Sequence, residues 1–125
     1  MESVSPNIFV KDIQKTIAFY QILGFEVNEA VPDKDNPIFV LMTNGKTTFM
    51  FQTFTSIGEE LPPVSRQDGG SLLLYIKMNG IYDFYEKIKD KVTIYKGLEK
   101  TFYGATEFSI VDINNYMLTF AEHEE

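Results

Sequence analysis

Residues 17–21, Ile17-Ala18-Phe19-Tyr20-Gln21, return 65 positions later as Tyr82-Asp83-Phe84-Tyr85-Glu86. Each copy follows a strand-like stretch, and those stretches also correspond: Ser5, Ile8, Phe9 and Val10 match Ser71, Leu74, Tyr75 and Ile76 at an offset of 66. A one-residue slip between strand and helix is ordinary in a diverged duplication, and self-similarity at a fixed period marks a unit built to pack beside its own copy. The chain therefore reads as one domain, residues 1–125, of two tandem βαβββ modules. Module 1 covers 1–55, a linker 56–70, and module 2 covers 71–125.

Local signals fill in each module. Ser5 to Val10 reads as a strand, Asp12 as an N-cap, and Ile13, Ile17, Tyr20 and Leu23 as a helical stripe that Gly24 ends. Strands follow at 25–30, 37–43 and 47–54, the last two joined by Asn44-Gly45, a strong hairpin dipeptide. Gly58, Pro62, Pro63, Gly69 and Gly70 mark the linker. In module 2 the strand at 71–78 leads to Asn79 as a cap and to a helix carrying Ile81, Phe84, Tyr85 and Ile88. Strands at 93–96, 103–111 and 116–122 complete it, with Asp112-Ile113-Asn114-Asn115 as a turn. Each helix covers one sheet face, so the expected fold is α+β, a curved eight-stranded mixed sheet around a cleft.

Composition narrows the function. A hydrophobic share of 44% and an aromatic share of 14% support a folded core despite a net charge of −7. A pI near 4.7 without a Lys/Arg cluster argues against nucleic acid and mildly favours cationic ligands. The opening residues lack a secretory pattern and no apolar run reaches spanning length, so a cytoplasmic protein without membrane contact is expected. With no cysteine and one histidine, thiol chemistry and a Ser/His/Asp arrangement are closed, and Gly69-Gly70 leads into a strand rather than a phosphate-cradling helix. His123 reads as an exposed tail residue. Glu26, Glu29, Glu122, Glu124 and Glu125 read as solvated charge.

Two stretches carry a family resemblance that spans essentially the whole chain. Ala18-Phe19-Tyr20-Gln21-Ile22-Leu23-Gly24-Phe25 is similar to an "FY...LGF" signature. Tyr103-Gly104-Ala105-Thr106-Glu107-Phe108, followed by Asp112, is similar to "WG..EF...DPDGN". Together they resemble the vicinal oxygen chelate superfamily of glyoxalases, extradiol dioxygenases and bleomycin-resistance proteins, whose shared architecture is the glyoxalase/bleomycin-resistance fold. Departures are Ile113 for the usual proline, Asn115 for the turn glycine and Tyr103 for tryptophan. Asn tolerates positive φ, so the turn survives.

The resemblance places the family's metal-ligand positions at Ser5, Met50, Ser71 and Thr119, the second alternatively at Gln52. Hydroxyl, thioether and amide groups compete poorly with water for Zn²⁺, Ni²⁺ or Fe²⁺. No metal and no other cofactor is therefore expected, and the chain resembles the metal-free, bleomycin-resistance-like branch. Strand alternation turns the same faces toward the cleft. The candidate ligand-binding residues are Asn7, Phe9, Met50, Gln52, Ser71, Leu73, Tyr75, Tyr103, Glu107, Met117 and Thr119, with no catalytic residue assigned. Phe49, Phe51, Leu118 and Phe120 fall on the helix-covered face.

Three functions stay open. A homodimer of the bleomycin-resistance type would sequester an aromatic or cationic small molecule, with antibiotic resistance as one outcome. A glyoxalase-like lyase or isomerase would need relocated ligands or metal-free acid–base chemistry at Glu107 or Tyr103. An association module would leave the cleft vestigial. Binding is favoured over catalysis because the enediolate chemistry of glyoxalases depends on the metal.

Overall fold

A computed structural model describes residues 1–60 and 63–124. Pro62, one of the linker signals, and Glu125 lie outside the described residues. The chain divides into two compact units, Met1–Asp68 and Gly69–Glu125.

The first unit runs β1 (Asn7–Val10), α1 (Ile13–Ile22), β2 (Glu26–Val31), β3 (Phe39–Asn44), β4 (Thr47–Thr53) and a short α2 (Phe54–Ile57). Its sheet has the order β1-β4-β3-β2, with β1 parallel to β4 and the other pairs antiparallel. The second unit runs β5 (Leu73–Lys77), α3 (Ile81–Ile88), β6 (Thr93–Lys100), β7 (Ala105–Val111) and β8 (Met117–His123), with the matching order β5-β8-β7-β6. Eight strands thus form two four-stranded mixed sheets, and each unit has the order βαβββ.

In the first unit the core is aromatic. The Tyr20 ring, fully buried, lies 4.7 Å from Phe51, 5.6 Å from Phe25 and 5.7 Å from Phe49 between ring centroids. Phe49, Phe51, Val40 and Met42 are all buried on the sheet face turned to α1. In the second unit Phe108 and Phe120 stack at 5.1 Å and meet Phe84 and Tyr85 of α3. Leu118 and Ile110 complete that face, both fully buried. Rings of this size contribute most of what a small core can bury, and edge-to-face pairing adds to the burial itself.

Capping fixes the helix positions. Asp12 accepts from Lys15 N at 3.0 Å, as its sequence position predicts, and Gly24 takes φ 93° just past the C-cap. Asn79 is not the cap of α3. That place belongs to Gly80, in the left-handed conformation, and no side chain of its own caps the helix. Instead Glu122, on the face of β8 that α3 covers, accepts from Ile81 N at 2.9 Å. The expectation that Glu122 is merely solvated charge is corrected: its carboxylate satisfies an orphan helix donor and sits at the positive end of the helix dipole.

Turns differ from expectation by small, explicable shifts. Asn44 pairs with Thr47, so the hairpin loop is Gly45-Lys46, with positive φ at Gly45 alone. The freed Asn44 side chain donates to Leu23 O at 3.2 Å. Thr53 Oγ1 accepts from Ser56 N and opens α2, which interrupts the expected run of β4 and the expected start of the linker. Strands β1 and β5 each begin two residues later than expected. Asp112 Oδ1 accepts from Asn114 N and Tyr116 N, both at 2.8 Å, and Asn115 takes φ 66°. That closed turn starts β8 at Met117, leaving Ser71 no partner strand. Gly69 packs against it: a Cβ there would lie 2.5 Å from Asn115 O.

The Glu122 cap is testable by substitution. Glu122→Ala should lower stability by about 1 kcal/mol, whereas Glu124→Ala should stay within about 0.5 kcal/mol of the parent. Urea unfolding of the two variants side by side measures the difference.

Candidate functional site

On the sheet faces opposite α1 and α3 the side chains are polar, aromatic or thioether rather than uniformly apolar. In the first unit, register places Asn7 beside Met50 and Phe9 beside Gln52, with Leu41 next to Met50 and Phe39 next to Gln52. Asn7 Nδ2 donates to Gln52 Oε1 at 3.0 Å, and Gln52 Nε2 donates to Ser56 Oγ at 3.0 Å. Phe9 is almost covered, at 9% exposure, and stacks on Phe54 of α2. Two amides in a hydrogen-bonded row beside Phe39, Leu41 and Met50 make a surface that offers both flat apolar contact and directional bonds. Phe39 and Leu41 were missed by sequence reasoning, although alternation along β3 carries them.

The second unit holds a tighter constellation. Tyr75 is on β5, Glu107 on β7 and His123 on β8, while Tyr103 lies in the turn before β7, where Gly104 takes φ 82°. Tyr75 Oη and Tyr103 Oη each donate to the same oxygen, Glu107 Oε2, at 2.5 Å. His123 Nε2 lies 2.9 Å from Tyr75 Oη. With the Tyr75 hydrogen given to Glu107, the second bond forms when His123 Nε2 carries the hydrogen and donates it to Tyr75 Oη. The three rings gather, with Tyr75 and Tyr103 centroids 6.0 and 6.4 Å from that of His123.

His123 is therefore not a tail residue. It is exposed, but it closes β8 and belongs to the site. His123 also borders a hollow of about 300 Å³ shared with Lys77, Met78, Asn79 and Glu124. Two-residue counting along β8 from Met117 and Thr119 reaches His123, so alternation carried this signal too.

The remaining predicted residues separate. Leu73 and Met117 are paired in register and partly exposed beside the cluster. Thr119, 6% exposed, shares a 2.8 Å hydrogen bond with Ser109. Ser71 is exposed and precedes β5, so it is not on a strand face.

Electrostatics in the cluster follow from Glu107. The Tyr75 hydroxyl is held well above the ordinary tyrosine range by loss of water around it and by the bond to, and charge of, Glu107. Tyr103 is raised chiefly by its own bond to Glu107, with desolvation second. Both phenols stay protonated donors. The nearby cation, Lys96, is engaged by Glu99 at 2.7 Å.

A sequence model of the Glyoxalase/Bleomycin resistance protein/Dioxygenase superfamily matches residues 3–120, and the chain belongs to that superfamily. Among solved structures, a protein of unknown function from Agrobacterium tumefaciens str. C58 is similar at TM-score 0.80 and 26% identity, covering 99% of this chain and 95% of its own. A glyoxalase/bleomycin resistance protein/dioxygenase family enzyme from Burkholderia phytofirmans PsJN is similar at TM-score 0.78 and 23% identity, over 96% and 97%. A bleomycin-binding protein complexed with bleomycin is similar at TM-score 0.69 and 19% identity, over 99% and 100%. No curated protein matches the sequence.

The family's metal positions can be tested against these residues. Ser71 lies off the strand, the Thr119 hydroxyl is engaged with Ser109, and Met50 offers only a thioether. Among the described residues no group of three or more His, Asp or Glu side chains is arranged to hold a metal ion. This donor set does not fit a divalent metal. No helix among the described residues is long and apolar enough to cross a membrane.

The raised phenols make a pH prediction. A tyrosine whose folded pKa exceeds its unfolded value of about 10 stabilises the fold below that pH and loses this contribution as pH rises through the folded value. Tyrosine difference absorbance should show Tyr75 and Tyr103 ionising above the ordinary tyrosine range. In Glu107→Gln both should return toward the ordinary range, and loss of stability on the alkaline side should become shallower.

Proposed function

We propose that this chain is a metal-free binding protein that sequesters a small aromatic or cationic compound, working as a cytoplasmic homodimer whose clefts hold the ligand. The observation that carries the reading is the Tyr75–Glu107–Tyr103 arrangement. A carboxylate is fixed by two phenols on the sheet face opposite α3, with Leu73 and Met117 alongside. Such a mixture of apolar area and a few oriented polar groups is what small-molecule sites use. The amide row of Asn7 and Gln52 beside Met50 supplies a second surface of the same kind. Ser71, though exposed and off the strand, remains a rim contact in this proposal.

The superfamily includes proteins that hold a drug, and the similar bleomycin-binding protein carries bleomycin in its complex. Sequestration of an antibiotic is therefore the form of the proposal to test first. A glyoxalase-like lyase or isomerase is the second reading, favoured by one observation: His123 is linked through Tyr75 to Glu107, an acid–base chain. Without a fitting metal donor set, the electrostatic stabilisation that enolising chemistry requires would fall to hydrogen-bond donors, and both phenols already give their hydrogens to Glu107.

Isothermal titration of bleomycin and a panel of aromatic amines into chelator-treated protein tests the proposal, with sedimentation to weigh the assembly. Saturable micromolar binding to a dimer, unchanged by chelator, is expected. A purified protein carrying stoichiometric Zn, Ni or Fe, with binding lost on its removal, would overturn the metal-free reading.

A further inference from the structure

The hydrogen-bond arithmetic of Glu107 narrows the ligand class and rests on the binding reading above. Both phenol hydroxyls land on Oε2. Among the described residues no partner falls on Oε1. Glu107 thus presents one saturated and one available carboxylate oxygen. A guanidinium recognises a carboxylate best through two parallel N–H···O bonds, which need both oxygens, whereas an ammonium binds as a point charge with one strong bond.

Surrounding groups favour a cation carried on an apolar, flat body. Tyr75 is 43% exposed and Tyr103 51%, and Phe102, fully exposed, lies edge-on to Tyr103 at 5.1 Å. Ring faces attract cations and stack on aromatic ligands. Lys96, the cation whose charge acts on this cluster from β6, is occupied by Glu99. Aliphatic contact is available at Leu73 and Met117.

We propose that the sheet face bearing Tyr75, Tyr103 and Glu107 is a subsite for a primary or secondary ammonium group attached to an aromatic body, and that it discriminates against the corresponding guanidinium. Glu107 Oε1 accepts the ammonium N–H, and the tyrosines hold the carboxylate oriented so that only this oxygen is presented.

Phenethylamine, phenethylguanidine and phenethyl alcohol share one ring and differ only in the head group. NMR titration of the full chain with each should rank the amine tightest, with the alcohol weaker by about tenfold, the worth of one charge-assisted hydrogen bond, and the guanidine weaker than the amine because its second parallel bond has no acceptor. Glu107→Gln should remove that advantage and leave the alcohol unchanged. Because this variant alters a supported network, the Tyr75→Phe/Tyr103→Phe double variant is the second arm. It keeps the carboxylate, frees Oε2, and should bring the guanidine level with or ahead of the amine. Equal binding of amine and alcohol, or a guanidine preference in the parent, would overturn the subsite while leaving small-molecule binding intact. If all three fail while other panel compounds bind, the subsite also falls and the broader reading stands. If nothing in either panel binds, the broader reading itself has failed.

Discussion

Aromatic packing of a helix against one face of its sheet is the constraint on which the rest depends. Tyr20 anchors α1 on Phe49 and Phe51, and Phe84 and Tyr85 anchor α3 on Phe108 and Phe120. Since successive strand residues point to opposite faces, committing Phe49 and Phe51 to the core commits Met50 and Gln52 to the other side. The same holds for Phe108 and Phe120, which force Glu107, Ser109 and Thr119 outward. A register slip of one residue would bury a carboxylate and expose phenyl rings, at a cost in desolvation that a domain of this size does not carry. The make-up of the face opposite the helices is thus a consequence of the core.

Duplication gives the two units one plan and leaves their outer faces free to diverge. In the first unit the outward positions became amides and apolar groups, with Asn7 and Gln52 bonded to each other. In the second they became two phenols, a carboxylate and an imidazole. The Ser109–Thr119 and Asn7–Gln52 pairs saturate donors that would otherwise meet water singly. Glu107 accepts both phenol hydrogens on Oε2, and among the described residues its Oε1 accepts none. Superfamily membership is consistent with this division, because a scaffold sustained by its helix-side cores tolerates many chemistries on the opposite faces.

The duplication, the strand order within each unit and the core residues were legible because periodicity records which face is buried. Phe49, Phe51, Leu118 and Phe120 were readable on that ground alone. Tyr75, Tyr103 and Glu107 were readable as members of one face, but their convergence on a single oxygen was not, since that depends on pairing across β5, β8 and β7. His123 and Glu122 were misread for one reason: proximity to the C-terminus outweighed the alternation that put His123 on the site face and Glu122 on the helix face. Asn79 looked like a cap by composition, yet the cap of α3 is supplied by a residue 41 positions away. Local propensity cannot record a tertiary bond of that kind. The start of β5 depended likewise on where the Asp112 turn releases β8, and so Ser71 was placed on a strand that begins two residues later.

The central claim is that ligands meet the face opposite the helices. Side-chain NMR during titration with a compound that binds, following methionine methyl and aromatic ring signals together, addresses it most directly. The expected result is that Met50, Met117, Tyr75 and Tyr103 shift while Phe49, Phe51, Phe108 and Phe120 hold still. Shifts confined to the helix-packed rings, with the tyrosines and methionines unmoved, would contradict the account.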